Sequence, residues 1–522
     1  MKKLIILSAL VLLGSTLLKA QFNGEIDSTF ANNGILLYDY NSNSTDEYAE
    51  KAVFGPDGKL YIAGSIDGLN SDMFIARFNP DGTLDNSFGN SGKLIFDPSI
   101  GGDDFIRDMV VTSDNKVVIV GTMETTSQDQ IIARFNENGG LDDTFNGVGF
   151  IATGGSGLDS WTSCLVDDEG RIVVAGNNSD GGGQNLTMFR FLENGAPDLD
   201  FGYNGLVIYD FADYERFTKV IQTAPNRYYL LANIAGQQRI FAVSGSGDPV
   251  NSFGSGGSQL LDIFQPNYEE FFDIVGTPGG DLLLSGYVAD PNFEDLKILV
   301  TKLSSNGSLD PDFGIDGSYV ASLNSGVDFY AQSMHLLADG SILVSGDVTE
   351  NNDNRNLMTC MLTSDGFLIS NYGINGLMTY DTPTEGDEFY GKMCLDTDGD
   401  VFLYGFSLQA QSSDLVVMKL KTTNANVAAK DILKTDIINL KTFPNPVADV
   451  LFASFTLPET TKVAVRIQSM NGKVLAYKDF GSLMEGPNNL DLSGLSGQLA
   501  DGIYLLTLET QSAIYSSKLV KQ

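Results

Sequence analysis

Carboxylates recur at matching places along the chain, each set beside an aromatic. Asp39, Asp97, Asp210, Asp262 and Asp381 follow short apolar runs. Glu47, Asp104, Asp159, Glu215, Glu269, Asp328 and Glu388 stand a residue or two before Tyr48, Phe105, Trp161, Phe217, Phe271, Phe329 and Phe389. Gathered round one opening, these acids would offer hard oxygen ligands to Ca²⁺. In pairs they could supply the acid and base that cleave a glycosidic bond. A third reading has each acid cap its own turn or pair with a neighbouring unit, while the aromatic fills the seam between units. The last has the aromatics stack on a glycan and the acids meet a cationic ligand.

Other chemistry is sparse. The one histidine, His335, lies in strand-like text, so a histidine triad or a multi-histidine zinc site has no partners here. Cys164, Cys360 and Cys394 are odd in number and scattered, which is not a disulfide framework. They read as buried small hydrophobes. "DTDGD" from Asp396 has the start of a calcium loop but Val401 where that loop needs glycine, and "SDGGGQN" fits no phosphate loop.

At 522 residues and 42% hydrophobic content the chain is globular and longer than one ordinary domain. A formal charge of −36 excludes a nucleic-acid partner, which would need a Lys/Arg footprint. The start, "MKKLIILSALVLLGSTLLKAQ", reads as a secretory signal peptide cleaved after Ala20. Its removal takes away three lysines and no acid, so the exported chain is more acidic still.

The elements that must position the acids come from a repeat. Phe30, Phe88, Phe145, Phe201, Phe253, Phe313 and Tyr372 mark units of nearly constant length, each marker followed four residues on by a glycine. Every unit holds four short apolar runs, with turns such as Asp57-Gly58 and Asp339-Gly340 between the second and third. Helical periodicity is nowhere sustained. Repeated four-stranded antiparallel units predict an all-β fold, a seven-bladed β-propeller over residues 21–421. In this reading the run after each marker glycine is the inner strand, and "RFNPDGTLDNSFGNSG" joins the outer strand of one blade to the inner strand of the next. The variable loops share one face, the expected binding face. The fifth unit departs from the pattern, with Asn233 where the others have glycine.

"PDGKLYIAGS…MFIARFNPDGTLDNSFGNSG" resembles the delta-60 repeat family, a β-propeller-type repeat of secreted and surface proteins. That resemblance implies a fold and no activity.

Residues 422–441 read as a polar linker, and 442–522 as a small β-sandwich of near-neutral charge. The last segment resembles the type A C-terminal sorting domain of the type IX secretion system. The matching positions are Pro444-Asn445-Pro446, Asn471-Gly472-Lys473, Asp491 to Leu495, Gly502-Ile503-Tyr504 and Lys518-Leu519-Val520-Lys521. The resemblance implies export across both membranes, with the secretion machinery as partner and surface lipopolysaccharide or polysaccharide as a further one.

Taken together, the sequence predicts a secreted or surface-displayed propeller that binds rather than catalyses, with no assured cofactor and Ca²⁺ as the candidate ion. The acids named above and Trp161 are its candidate binding residues. The alternatives are a carbohydrate-active or other hydrolytic enzyme using paired carboxylates on the loop face, and a structural surface component. An enzyme would be marked by paired acids, one of raised pKa.

Overall fold

The computed structural model describes residues 21–40, 46–154, 157–179, 183–211, 215–264, 268–289, 296–321, 327–349, 355–374, 376–382, 386–408, 412–423, 440–447, 450–457, 460–469, 474–497, 499–510 and 514–521. The signal peptide, most of the linker, and the sorting positions Asn471, Gly472 and Lys473 lie outside these residues.

Seven sheets of one plan occupy the described residues as far as Thr423. In blade 1 the strands Glu47–Phe54, Leu60–Asp67, Ser71–Phe78 and Lys93–Phe96 pair antiparallel in that order. The first strands of the blades are Glu47–Phe54, Asp104–Val111, Ser160–Val166, Glu215–Ala224, Tyr268–Gly276, Asp328–Leu336 and Asp387–Leu395. Each touches the next, and the seventh returns to the first, so these strands line the axis. The second strands are buried almost throughout, as in Leu60–Asp67 and Leu282–Ala289, because a neighbouring blade covers each face. That double burial explains their unbroken apolar text.

The strand order differs from the sequence expectation by one step. "KLIF" after Gly92 pairs with Ser71–Phe78 as the outermost strand of its own blade. The repeated "RFNPDGTLDNSFGNSG" is therefore a connection within a blade, and the loop after Phe96 is the one that crosses to the next. The same shift closes the ring. Ile35–Tyr38 is the outermost strand of blade 7, paired with Ser413–Thr423, and Gln21–Ile26 pairs further along that strand. Tyr380 Oη donates to the Gly24 carbonyl at 2.7 Å, which ties the N-terminal segment to blade 6.

The repeated "RF…LD" text is held by an ion pair, buried in blades 1 to 3 and partly exposed in blade 5. Arg77 meets Asp85, Arg134 meets Asp142, Arg190 meets Asp198 and Lys302 meets Asp310, each pair eight residues apart. One carboxylate oxygen takes the cation while the other accepts the N–H two residues on, as from Thr144 to Asp142 at 3.1 Å. The marker phenylalanine lies under the guanidinium, with Arg190 Cζ 4.5 Å from the Phe201 ring centre. Blades 4 and 6 replace both partners at once, with Ala242 and Val250, and with Met361 and Ile369.

Every first strand carries a bulge at the same height, such as that between Ala49 and Lys51. The residue facing it is Gly64, Gly121, Gly176, Gly286, Gly346 or Gly405, where a Cβ would fall about 2 Å from a carbonyl oxygen of the bulged strand. In blade 4 the pairing puts Ala232 at this place, and Asn233 is one residue further on.

The C-terminal segment is a sandwich of a three-stranded and a four-stranded sheet around Val447, Leu451, Phe455, Val465, Ile467 and Leu506. Asn445 staples its two ends: its side-chain amide donates to the Lys518 carbonyl at 2.7 Å and accepts from the Val520 N–H at 2.8 Å. Pro444 and Pro446 flank that staple, Gly502 pairs with Lys521, and Tyr504 Oη donates to the Ala500 carbonyl. The Lys518 ammonium reaches Asp316 of the propeller at 2.9 Å.

Candidate functional site

The acids expected at the channel mouth split into two groups. Asp39, Asp97, Asp210, Asp262 and Asp381 stand at the ends of outermost strands rather than on the strands that line the axis. Glu47, Asp104, Asp159, Glu215, Glu269 and Glu388 do begin first strands, yet they are buried. Five of them, Asp104, Asp159, Glu215, Glu269 and Glu388, turn inward to hold a loop. Ser179 N–H donates to Asp159 at 2.6 Å, Leu186 N–H to Glu215 at 3.0 Å and Ile263 N–H to Glu269 at 2.6 Å. Asp328 accepts from the Leu296 N–H at 3.1 Å, and Glu388 from the hydroxyls of Thr382 and Ser407. Trp161 is buried in the blade 2–3 seam with Val118, Val174 and Phe191.

Of the acids named for Ca²⁺, Asp97 and Asp104 come together, with Asp72 as a third, their nearest oxygens within 4.8 Å of one another. Burial, with Asp97 nearby, pushes the Asp104 carboxyl up to about 6 despite its bonds from Ser99 and the Glu124 N–H. Burial pushes Glu388 up to about 7 against the lowering effect of its Thr382 and Ser407 hydroxyl bonds, with a smaller push from Asp381.

The channel wall is built from the residues at and after the seven bulges. Just past each bulge stand Lys51, Asp108, Ser163, Lys219, Asp273, Ser333 and Lys392. They stitch blade to blade. Lys51 meets Asp108 at 2.9 Å, Asp108 accepts from the Cys164 N–H at 2.9 Å, and Lys219 pairs with Asp273, which accepts from the Met334 N–H at 2.8 Å. Burial disfavours charge on Asp108, but Lys51 and the N–H groups hold its carboxyl below the ordinary range. His335 sits near Asp273 and Lys219, with burial holding its imidazole below the usual range.

Above the stitch, the mouth of the channel is uneven. Phe272, Tyr330, Phe389, Tyr390, Tyr48 and Phe105 form a partly exposed aromatic arc over blades 5, 6, 7, 1 and 2. Blades 3 and 4 present Ser160, Thr162, Arg216 and Thr218 there instead. The residue after the bulge-facing position is Ser65, Thr122, Asn177 or Asn233 in blades 1 to 4, but Tyr287, Asp347 or Phe406 in blades 5 to 7. Tyr287 Oη donates to Glu270 Oε2 at 2.8 Å, and its ring centre lies 5.8 Å from that of Tyr330 and 5.7 Å from that of Phe272. Burial and the Glu270 charge push the Tyr287 phenol above its ordinary range.

Blade 7 departs furthest. Its bulge spans two residues, Tyr390 and Gly391, and Tyr390 has φ of 55°. Asp347 of blade 6 holds this backbone, accepting the Tyr390 N–H at 3.1 Å. Arg355 completes the clamp: it pairs with Asp347 and lies between the Tyr330 and Phe389 rings, 4.6 Å from each centre. The Tyr390 side chain is 49% exposed.

The aromatic partners of the acids were thus half legible. Tyr48, Phe105 and Phe389 reach the mouth, whereas Trp161, Phe217, Phe271 and Phe329 are core. The residues that sequence reading missed are Phe272, Tyr330, Tyr390, Tyr287, Glu270, Asp347 and Arg355. A signal for three of them was present in the doublets Phe271-Phe272, Phe329-Tyr330 and Phe389-Tyr390. Neighbours on a strand face opposite ways, so one ring of each pair must leave the core.

Comparison with known proteins gives two families. Residues 55–88, 112–145 and 170–201 match the "Domain of unknown function (DUF5122) beta-propeller". Residues 441–522 match the "Secretion system C-terminal sorting domain". No curated protein matches in sequence. Among solved structures, a Dyadobacter fermentans protein of unknown function has a TM-score of 0.40 at 9% identity over 74% of this chain and 100% of its own. The polysaccharide lyase Uly1 has a TM-score of 0.42 at 9% identity over 77% and 98%. A leech intramolecular trans-sialidase has 0.36 at 12% identity over 73% and 68%. None of these scores assigns an activity to this chain. Enzymes acting on sugars nevertheless stand among these similar structures, which corrects the expectation of a non-enzymatic protein. The raised carboxyls of Asp104 and Glu388 meet only the pKa half of the condition set above for an enzyme, since they lie buried in separate seams.

Proposed function

We propose that this chain, which carries DUF5122 β-propeller repeats and ends in a secretion-system sorting domain, is a carbohydrate-active protein working on polysaccharide outside the cell. Export through the type IX secretion system to the surface or the medium follows from the sorting domain, whose partner is that machinery. The observation that carries the rest is the aromatic arc at the channel mouth, confined to five of seven otherwise repeated blades. A repeat protein has no packing reason to break its own pattern in one sector, and such breaks gather at functional sites. Aromatic faces with a few fixed polar groups are the usual lining of a ligand site.

In this proposal a glycan chain lies across the mouth on Phe272, Tyr330 and Tyr390. Glu270 and Tyr287 are the acid–base pair: as a water oxygen bonds to the anomeric carbon the Glu270 carboxylate takes the water's proton, and the Tyr287 phenol gives its own to the leaving sugar oxygen as the glycosidic bond breaks. The test is to incubate the exported protein with a panel of polysaccharides and read bound polymer, new reducing ends and ultraviolet absorbance from unsaturated products. Cleavage that is lost in Glu270→Gln and Tyr287→Phe while binding persists supports the reading. A panel with neither bound polymer nor product sinks it.

A further inference from the structure

Three consecutive first strands, those of blades 7, 1 and 2, put an excess of cations at the channel. Among the described residues Lys392, Lys51 and Arg107 pair there with Glu50 and Asp108. Asp108 is spent on Lys51 and on the Cys164 and Met109 N–H groups. Glu50 alone is shared between two cations, at 3.5 Å from Lys392 and 3.9 Å from Arg107. Both cations lie beside mouth aromatics: Arg107 Cζ is 5.2 Å from the Phe105 ring centre and Lys392 Nζ 5.9 Å from that of Tyr390. Arg107 is exposed, and Lys392 and Glu50 are partly so.

In a chain of formal charge −36 this arrangement needs a reason. Two cations also share one carboxylate at Asp85, with Arg77 and Lys59, and at Asp142, with Arg134 and Lys116, but those aspartates are buried, whereas Glu50 and its two cations are open to the channel. Two cations sharing one carboxylate leave room for a second anion between them, and flat aromatic walls on both sides fit a pyranose ring. We propose that the Arg107–Glu50–Lys392 group, walled by Phe105 and Tyr390, is a subsite for an anionic sugar of a polysaccharide, a carboxylated or sulfated residue. The inference rests on the carbohydrate reading above and narrows it to acidic polymers. The surrounding negative charge repels polyanions at long range, so attraction at this one place selects a chain able to thread its charge onto the two cations.

The test uses the exported full-length protein with polygalacturonate, dextran sulfate and neutral dextran, titrated at low and at higher salt. At least one polyanion should bind, more weakly as salt rises. Arg107→Gln and Lys392→Gln should each weaken it about tenfold, the scale of one charge-assisted bond. Glu50→Gln should act in the opposite direction and tighten it severalfold, because both cations are released. A merely structural cluster would give the same sign for all three, and circular dichroism confirms that each variant is folded. Binding of neutral dextran that depends on Tyr390, with no polyanion bound, overturns the subsite and leaves the carbohydrate reading standing. Polyanion binding unchanged in all three variants also overturns it. No binding of any polymer fails both.

Discussion

Arg134 Nε donates to Asp142 Oδ2 at 2.7 Å across eight residues of chain, and both side chains are 3% exposed. Buried charges repay their desolvation only while they are paired, and Asp142 also meets Lys116 at 3.2 Å. The protein itself supplies the control, since blade 6 holds the equivalent places with Met361 and Ile369. Asp142→Ala should therefore cost about 3–5 kcal/mol, seen as a lower urea midpoint of the exported protein. The paired change Arg134→Met with Asp142→Ile should stay within about 1.5 kcal/mol of the parent. A double variant as weak as the single one would mean that the ionic pair, and not the filled seam, is what this blade needs.

Glu388 sets a pH dependence whose sign follows from its raised pKa. The folded protein holds this proton up to about 7, whereas an ordinary glutamate loses it near 4.5. The folded state thus binds more protons between those values, so the stability present below them is lost as pH rises through 7. Glu388→Gln removes that loss. Its melting temperature should match the parent at pH 5 and exceed it at pH 8, by on the order of 2 °C. Equal melting at both pH values would place the Glu388 titration elsewhere.

Asp72, which stands beside Asp97 and Asp104, is raised by burial first and then by the like charges of Asp97 and Asp103. Asp72→Asn should raise the melting temperature at pH 8 by about 1 °C, on the scale of a screened surface interaction. The gain should shrink in high salt. A loss of stability would mean that the Asp72 carboxylate is needed where it stands.

The repeat was legible because each blade must satisfy the same four strands and the same turns. Its phase was not. A cyclic repeat can be cut at any strand without changing its period, and only the pairing of "KLIF" with Ser71–Phe78, and of Ile35–Tyr38 with Ser413–Thr423, says which strand is outermost. The acids were misjudged for a related reason. An acid before an aromatic is what a binding ring needs, and also what a loop cap over a packed seam needs, so Asp159 beside Trp161 reads alike in both. The mouth was legible only through departures from the repeat, in the doublets at Phe271, Phe329 and Phe389. Arg355, Asp347 and Tyr287 come from other strands, and their meeting with those rings depends on how blades pack.

Tyr390 is held in a conformation that tyrosine disfavours, with φ of 55° and a ring left half exposed. The cost is about 1 kcal/mol, and the Asp347–Arg355 clamp keeps it in place. Strain of this kind persists where the side chain is wanted at that spot. Tyr390→Gly relieves it, since glycine adopts positive φ freely. The variant should melt no lower than the parent, and up to about 1 kcal/mol more stable, while polysaccharide affinity falls about tenfold with the lost stacking face. Tyr390→Phe should keep both stability and affinity near the parent, because the ring and not the hydroxyl makes the platform. Calorimetry and polymer binding on the three proteins separate the outcomes. If glycine lowers stability, the ring is a packing element of the blade 6–7 seam, and if it leaves binding intact, the arc does not extend to blade 7.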